Sequence, residues 1–386
     1  MKKNNLAFWA ACFGMFLFGI AMLSLGTINT FLVEKFNLDS LTAGSLASLL
    51  PLGILIGSLL FGAIVDRFGY KLLLIICSVI ITACMLVIVY AGVFSLIQGA
   101  FFIIGISGGM INGATNALAA DVSHNDKSSK LSLLGVFYGL GAICLPLLTA
   151  SLSKQFNYEE IILATCLFLV LPILYFIFIP FPPPKQLQGI PLKKVFSMFK
   201  DKVLFLFAFV LFFQSAVEGI SNNWTTTLLK ERHLLQDDKA LFSLTMMVIG
   251  MTIARLLLSL ILKKAKAISI FSISCIISAI ALILIQVSSS VAMIWGSYLL
   301  LGMGLAAGFP VILAYVGERY AELSGIAFSF VLVIALLGNT LMNLLVAWVS
   351  RTWGIQFMPI ILIIASTAMF ILANIAYIQH TNKPLK

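Results

Sequence analysis

The sequence predicts an all-α integral membrane protein with twelve transmembrane helices in two pseudo-symmetric six-helix bundles. Three observations predict it. Hydrophobic residues fill 61% of the 386 positions and charged residues 10%, with a mean hydropathy of +1.11, whereas a soluble domain carries charge on roughly a quarter of its positions. Apolar runs of about 20 residues, the length that crosses a hydrocarbon core about 30 Å thick, recur along the whole chain. An offset of 197 residues lays the first half of the sequence on the second. Hydrocarbon offers no partner to a bare peptide group, so each run is read as a helix.

The first six spans fall near 6–30, 41–62, 71–91, 95–120, 131–152 and 160–180. The opening MKKNN and its apolar sequel could pass for a signal peptide, but the run is too long and has no small-residue cleavage site, so it is read as a span. The stretch PFPPPKQLQGIPLKKVFSMFKDK then interrupts the pattern, and Pro182, Pro183 and Pro184 cannot continue a helix. The expected organisation is a bundle over 1–180, a linker over 181–202 and a second bundle over 203–386. Its spans fall near 203–228, 240–262, 267–287, 291–316, 324–349 and 356–378.

Placing the N-terminus in the cytoplasm puts seventeen of the 24 Lys and Arg on inner segments and six on outer loops, with Arg255 inside a span. That bias predicts cytoplasmic termini in an inner membrane. The formal net charge of +10 forms no soluble basic patch, so no nucleic-acid partner is expected. All six cysteines lie in apolar runs without metal-ligand spacing, as buried small hydrophobes do.

The 197-residue offset superposes GILIGSLLFGAIVDR, from Gly53, on GMTIARLLLSLILKK, from Gly250. Without a gap it also pairs Gly105 with Gly302, Asp121 with Glu318, Gly141 with Gly338 and Lys154 with Arg351. Charged matches at span ends exceed what glycine-rich helices produce by chance. Duplicated halves with a binding site between them are the plan of many secondary transporters.

GAIVDRFGYK, Gly62 to Lys71, lies on the short connection after the second span. Its Gly-x-x-x-Asp-Arg-x-Gly-x-Lys pattern resembles the loop that marks the major facilitator superfamily, and span count, linker and repeat extend the likeness over the whole chain. The resemblance implies the major facilitator fold and a gating role for Asp66, Arg67 and Lys71, with Asp66 paired to a helix end or a basic group. The second-half copy has Lys263 in place of Asp66 and Arg255 in place of Ser58. Arg255 is expected in a gate ion pair with Asp121 or Glu318, with contact to the solute as its second reading. GISGGMINGATNALAAD and FYGLGAICLP resemble the fucose and glucose:cation symporter branch, but Asn112 stands where the fucose:proton members have an acid. That branch's proton site is therefore missing from span four.

FFQSAVEGISNNW, Phe212 to Trp224, places polar groups inside a span. At about 100° per residue, Gln214, Glu218, Ser221, Asn222 and Thr225 share one face, and Asn223 points elsewhere. Glu218 is the one acid deep in any span, and an ionisable group there costs roughly 2.5–3.5 kcal/mol, so it must face the bundle interior or water. Asn112 and Asn116 stand one turn apart in span four, as do Asn339 and Asn343 in span eleven. Amides both donate and accept, as sugar hydroxyls require, and Trp224 offers a stacking face. Tyr138, Trp295 and Tyr315 are read as packing.

The expected function is secondary active transport of a small polar, sugar-like solute by alternating access. Glu218 would couple it to a proton or a sodium ion, within a single chain set in a lipid bilayer. Proton-driven efflux of drugs or metabolites is the alternative; for apolar drugs it would call for a cavity rich in aromatics and methionine. No enzyme, metal or cofactor is expected. His124, His233 and His380 are placed outside the spans, and no Gly-rich loop ending in Gly-Lys-Ser/Thr occurs to bind a nucleotide phosphate.

Overall fold

The computed structural model describes residues 2–37, 40–123, 126–152, 155–186, 192–288 and 290–382. The first half holds α1 (Lys2–Phe36), α2 (Ser40–Phe68), α3 (Tyr70–Tyr90), α4 (Phe94–Asp121), α5 (Lys127–Leu152) and α6 (Tyr158–Phe178). A short α7 (Leu192–Met198) lies in the linker. The second half holds α8 (Lys202–His233), α9 (Asp237–Ile261), α10 (Ala267–Val287), α11 (Val291–Leu305), α12 (Gly308–Arg319), α13 (Ser324–Trp353) and α14 (Met358–Asn382). Among the described residues twelve helices are long and apolar enough to cross a membrane, because α11 and α12 are two pieces of one span, Val291–Arg319. The outward faces carry residues such as Leu167, Phe178 and Ile364, each more than 60% exposed. Water would not tolerate that surface, whereas acyl chains do.

Two features depart from the sequence expectations. Span ten breaks at Ala306 and Ala307. Pro310 has no N–H to give the carbonyl of Ala306, so the helical ladder fails there. His380, expected outside the spans, lies in the last one, Ile355–Asn382, because α14 continues past residue 378.

Contacts divide the chain into two compact units that differ from the sequence halves at two short segments. Unit 1 comprises Met1–Ser123, Leu134–Val195 and Glu322–Ser329; unit 2 comprises His124–Leu133, Phe196–Ala321 and Phe330–Lys386. The two transferred segments are images of one another under the 197-residue offset, to within a residue or so at the ends. Their hydrogen bonds match as well. In unit 2 the Ser132 hydroxyl donates to the Arg255 carbonyl at 2.8 Å. In unit 1 Ser329 donates to the carbonyl of Ser58. Both members of the second bond lie 197 residues from those of the first.

The repeat also sets helix packing inside each unit. A Cβ on Gly53 would lie 2.3 Å from the Phe102 carbonyl oxygen, and one on Gly105 2.4 Å from that of Leu50. The offset partners repeat this: Gly250 against the Leu299 oxygen at 2.1 Å and Gly302 against that of Met247 at 1.9 Å. Only glycine lets α2 approach α4, and α9 approach α11, so closely.

Candidate functional site

In unit 2 the polar groups of α8 divide between two flanks. On the first, Gln214 is buried and its Nε2 donates to the Leu305 carbonyl at 2.9 Å. That bond satisfies an oxygen freed by the break between α11 and α12. Gly308 makes room for it, since a Cβ there would lie 2.2 Å from Gln214 Oε1. One turn on, Glu218 has Gln214 and Arg255 as polar neighbours. Gln214 Oε1, Glu218 Oε2 and Ser221 Oγ are all buried and meet no hydrogen-bond partner among the described residues. They stand at spacings of four and three residues, one stripe along the helix. Thr225 extends the stripe and donates to the Ser221 carbonyl at 2.5 Å.

The second flank meets α13. Asn343 Oδ1 accepts from Trp224 Nε1 at 3.0 Å and from Asn223 Nδ2 at 3.1 Å. Its Nδ2 donates to the carbonyl and Oδ1 of Asn339, at 2.8 and 2.7 Å. Asn339 lies against Gly219, where a Cβ would be 2.1 Å from its Oδ1. Asn223 points away from the Gln214–Glu218 stripe, as expected, but toward a polar partner on α13. Asn222 and Asn223 are both exposed; Asn223 joins the network, while Asn222 turns back to the Glu218 carbonyl at 3.0 Å. A wheel that assumes one interior face misses a second polar flank serving a different neighbour.

In unit 1 Asn116 is buried and donates through Nδ2 to the carbonyl of Asn112 at 2.8 Å and to its Oδ1 at 3.1 Å. The same unit holds an apolar cleft of about 480 Å³ walled by Phe13, Phe16, Phe137, Phe168, Leu171 and Tyr175. Tyr138 packs on Phe18, Trp295 on Phe242 and Tyr315 on Phe207, as expected of packing residues.

The loop motif builds a second polar centre in unit 1. Asp66 is wholly buried and accepts the N–H groups of Gly325 at 3.2 Å and Ile326 at 3.1 Å, at the start of α13. A helix N-terminus exposes unpaired N–H groups and favours negative charge, so the expected pairing with a helix end is the one observed. Gly62 permits the approach, since its Cβ would lie 2.4 Å from the Gly325 oxygen, and Gly69 turns the chain with φ of 83°. Asp121 accepts from Tyr70, from Lys185 Nζ at 2.6 Å and from Ser324 at 3.0 Å. Arg67 lies over the Phe68 ring, and Lys71 donates to the Ile177 carbonyl at 2.6 Å.

The charge of Arg255 acts on Glu218; Asp121 pairs with Lys185, and Glu318 lies 3.9 Å from His380. Sequence reasoning passed over a further cluster in unit 2. Asp201 caps α8 through the Val203 N–H at 3.0 Å, and it accepts from Arg319 Nε at 2.9 Å and Tyr320 at 2.7 Å. Burial pushes the Asp201 carboxyl up, but donors from Arg319 and Tyr320 hold it below its ordinary value. An Asp directly before a long apolar helix was the legible signal.

A sequence model described as the Major Facilitator Superfamily matches residues 11–338. The chain belongs to that superfamily, whose members are transporters, and it is a multi-pass membrane protein. No match was found among curated proteins. Among solved structures, the E. coli fucose:proton symporter FucP, in a substituted form, aligns with a TM-score of 0.82 and 15% identity, covering 97% of this chain and 99% of that one. The proton:xylose symporter XylE bound to 6-bromo-6-deoxy-D-glucose aligns at 0.76 with 14% identity, covering 100% and 96%. The human organic anion transporter MFSD10 aligns at 0.73 with 16% identity, covering 96% and 98%. At such identities the likeness is one of fold.

Proposed function

We propose that this chain is a proton-coupled symporter for a small polar solute of the sugar class, working as a single chain by alternating access. The observation that carries the reading is the pair of buried acceptors Glu218 Oε2 and Gln214 Oε1 within a membrane span, without a hydrogen-bond partner among the described residues. A protonated Glu218 supplies a donor where the unprotonated form leaves a buried carboxylate, so proton uptake has a stabilising role at that spot. Arg255 provides the opposite charge once the proton leaves. In unit 1 the partly buried amide of Asn112, bonded to Asn116, supplies hydrogen-bonding groups for hydroxyls; in unit 2 the exposed Asn222 does so, and Trp224, Asn339 and Asn343 are bonded to one another in the same unit. The sugar symporters among the structural neighbours lend support to the solute class. The distribution of Lys and Arg supports an inner-membrane location with both termini in the cytoplasm.

Export by proton antiport is the competing reading, favoured by the aromatic cleft of about 480 Å³ in unit 1. Its walls include none of the polar residues above. Purified protein in proteoliposomes separates the two. An inward proton gradient is expected to drive uphill uptake of a monosaccharide from a panel, and Glu218→Gln to abolish accumulation while leaving solute exchange measurable. Gradient-driven accumulation that is unchanged in Glu218→Gln overturns the coupling role.

A further inference from the structure

The segment joining the two halves does more than tether them. Pro182, Pro183 and Pro184 hold the chain extended after α6 and carry the next two residues onto the loop-motif centre of unit 1. Pro184 packs on the motif turn, its ring carbon 3.2 Å from where a Cβ on Gly69 would stand. Lys185 Nζ lies 2.6 Å from Asp121 Oδ2 and donates to Ser324 Oγ at 2.5 Å. The Gln186 N–H donates to the Asp66 carbonyl at 2.9 Å, and its side chain reaches the Glu322 carbonyl at 3.3 Å. Three consecutive residues, Pro184, Lys185 and Gln186, thus touch the ends of α2 and α4, the motif turn and the start of α13.

The charges explain why the strap is needed. Asp66 and Asp121 are close enough to act on one another, and the charge of Lys185 acts on Asp66 as well as pairing with Asp121. Neutral groups bound to these carboxylates are two backbone N–H groups, the Tyr70 phenol and the Ser324 hydroxyl. Two neighbouring carboxylates, one fully buried, repel unless a cation is shared between them.

We propose that the Pro182–Gln186 strap is a clasp. Lys185 is a positioning residue that holds Asp121 and Ser324 together, so the start of α13 leaves α2 only when the strap lifts. This rests on the family's transport role but not on the sugar or the proton. It places control of one gate in the linker.

The test uses full-length protein in proteoliposomes and amide hydrogen exchange resolved at Gly325 and Ile326. Lys185→Gln is expected to speed exchange at both amides by at least ~10-fold, the scale of one lost charge-assisted bond, and to alter uptake. Lys185→Arg is expected to restore both. The double change Lys185→Gln with Asp121→Asn, which removes both charges, is expected to recover protection relative to Lys185→Gln alone. The clasp is overturned if Lys185→Gln leaves exchange unchanged, or if Lys185→Arg behaves like it. Should Lys185→Gln fail to fold, the double change decides: recovered folding supports the clasp, and failure overturns it. Absence of sugar uptake by the unsubstituted protein, with exchange in Lys185→Gln sped up as expected, counts against the proposed function and leaves the clasp standing.

Discussion

Asp66 holds the backbone N–H of Ile326 at 3.1 Å from inside a fully buried site, and the neighbouring N–H of Gly325 at 3.2 Å. A side-chain carboxylate therefore caps α13 from a different helix. Asp66→Asn keeps the size but replaces one acceptor oxygen with a donor that faces an N–H. One bond is lost and one donor–donor contact appears. The expected result is a loss of about 2 kcal/mol in stability, together with at least ~10-fold slower uptake as the start of α13 loses its anchor. Thermal unfolding and initial uptake rates on the same preparation check it. Native behaviour in both would remove Asp66 from the gate.

That anchor was visible in the sequence, because an Asp on a short loop with flanking glycines suits a helix end whatever the partner's number. The fold was legible for a similar reason. Run length reports span count, and one offset pairing Gly53 with Gly250 and Asp121 with Glu318 reports duplication. What was not legible lies at long range or at a change of rule. Lys185 carries no periodic signal connecting it to Asp121, since a strap obeys neither helical period. Gly308 and Pro310 marked the break in span ten, but apolar neighbours concealed it from a hydropathy reading. Asn223 was lost because one helix presents polar groups to two neighbours at once.

The break in span ten gives a stability prediction. Gly308→Ala places a methyl 2.2 Å from Gln214 Oε1 and 2.3 Å from its Cδ. Overpacking of this kind costs about 1–3 kcal/mol. Gln214→Ala should also destabilise, by leaving the Leu305 carbonyl without its donor. The two changes combined should cost less than their sum, since removing the glutamine removes the clash. Additive losses in a thermal unfolding cycle would show that Gln214 and the break are not coupled.

The Asp201 cluster predicts a pH dependence. Its carboxyl is held below its ordinary value, against the upward push of burial, by hydrogen bonds from Arg319 and Tyr320. A carboxyl held low contributes fully above its unfolded value, about 4, and loses the contribution as pH falls through the lower folded value. Asp201→Asn should therefore be less stable than the native chain by about 1.5–3 kcal/mol between pH 5 and 7. The gap should narrow as the pH drops below about 4. Unfolding followed across that range measures it; a gap that widens on acidification contradicts the assignment.

The amides of α8 and α13 are not equivalent, and hydrogen-bond capacity tells them apart. A carboxamide has two donors and two acceptor positions. Asn343 uses both acceptor positions, on Trp224 and Asn223, and both donors point at Asn339. A solute can bond to Asn343 only by displacing one of these, so its main work is to brace α8 against α13. Asn112 differs: it accepts from Asn116 and is only partly buried. Asn343→Ala is thus expected to lower stability by about 1–3 kcal/mol, because it strands the Trp224 N–H. Asn112→Ala is expected to raise the half-saturation constant several-fold with little change in melting. Measuring both quantities on both variants makes the contrast decisive: if Asn343→Ala raises the half-saturation constant and melts like the native protein, Asn343 is a solute contact and the brace is wrong.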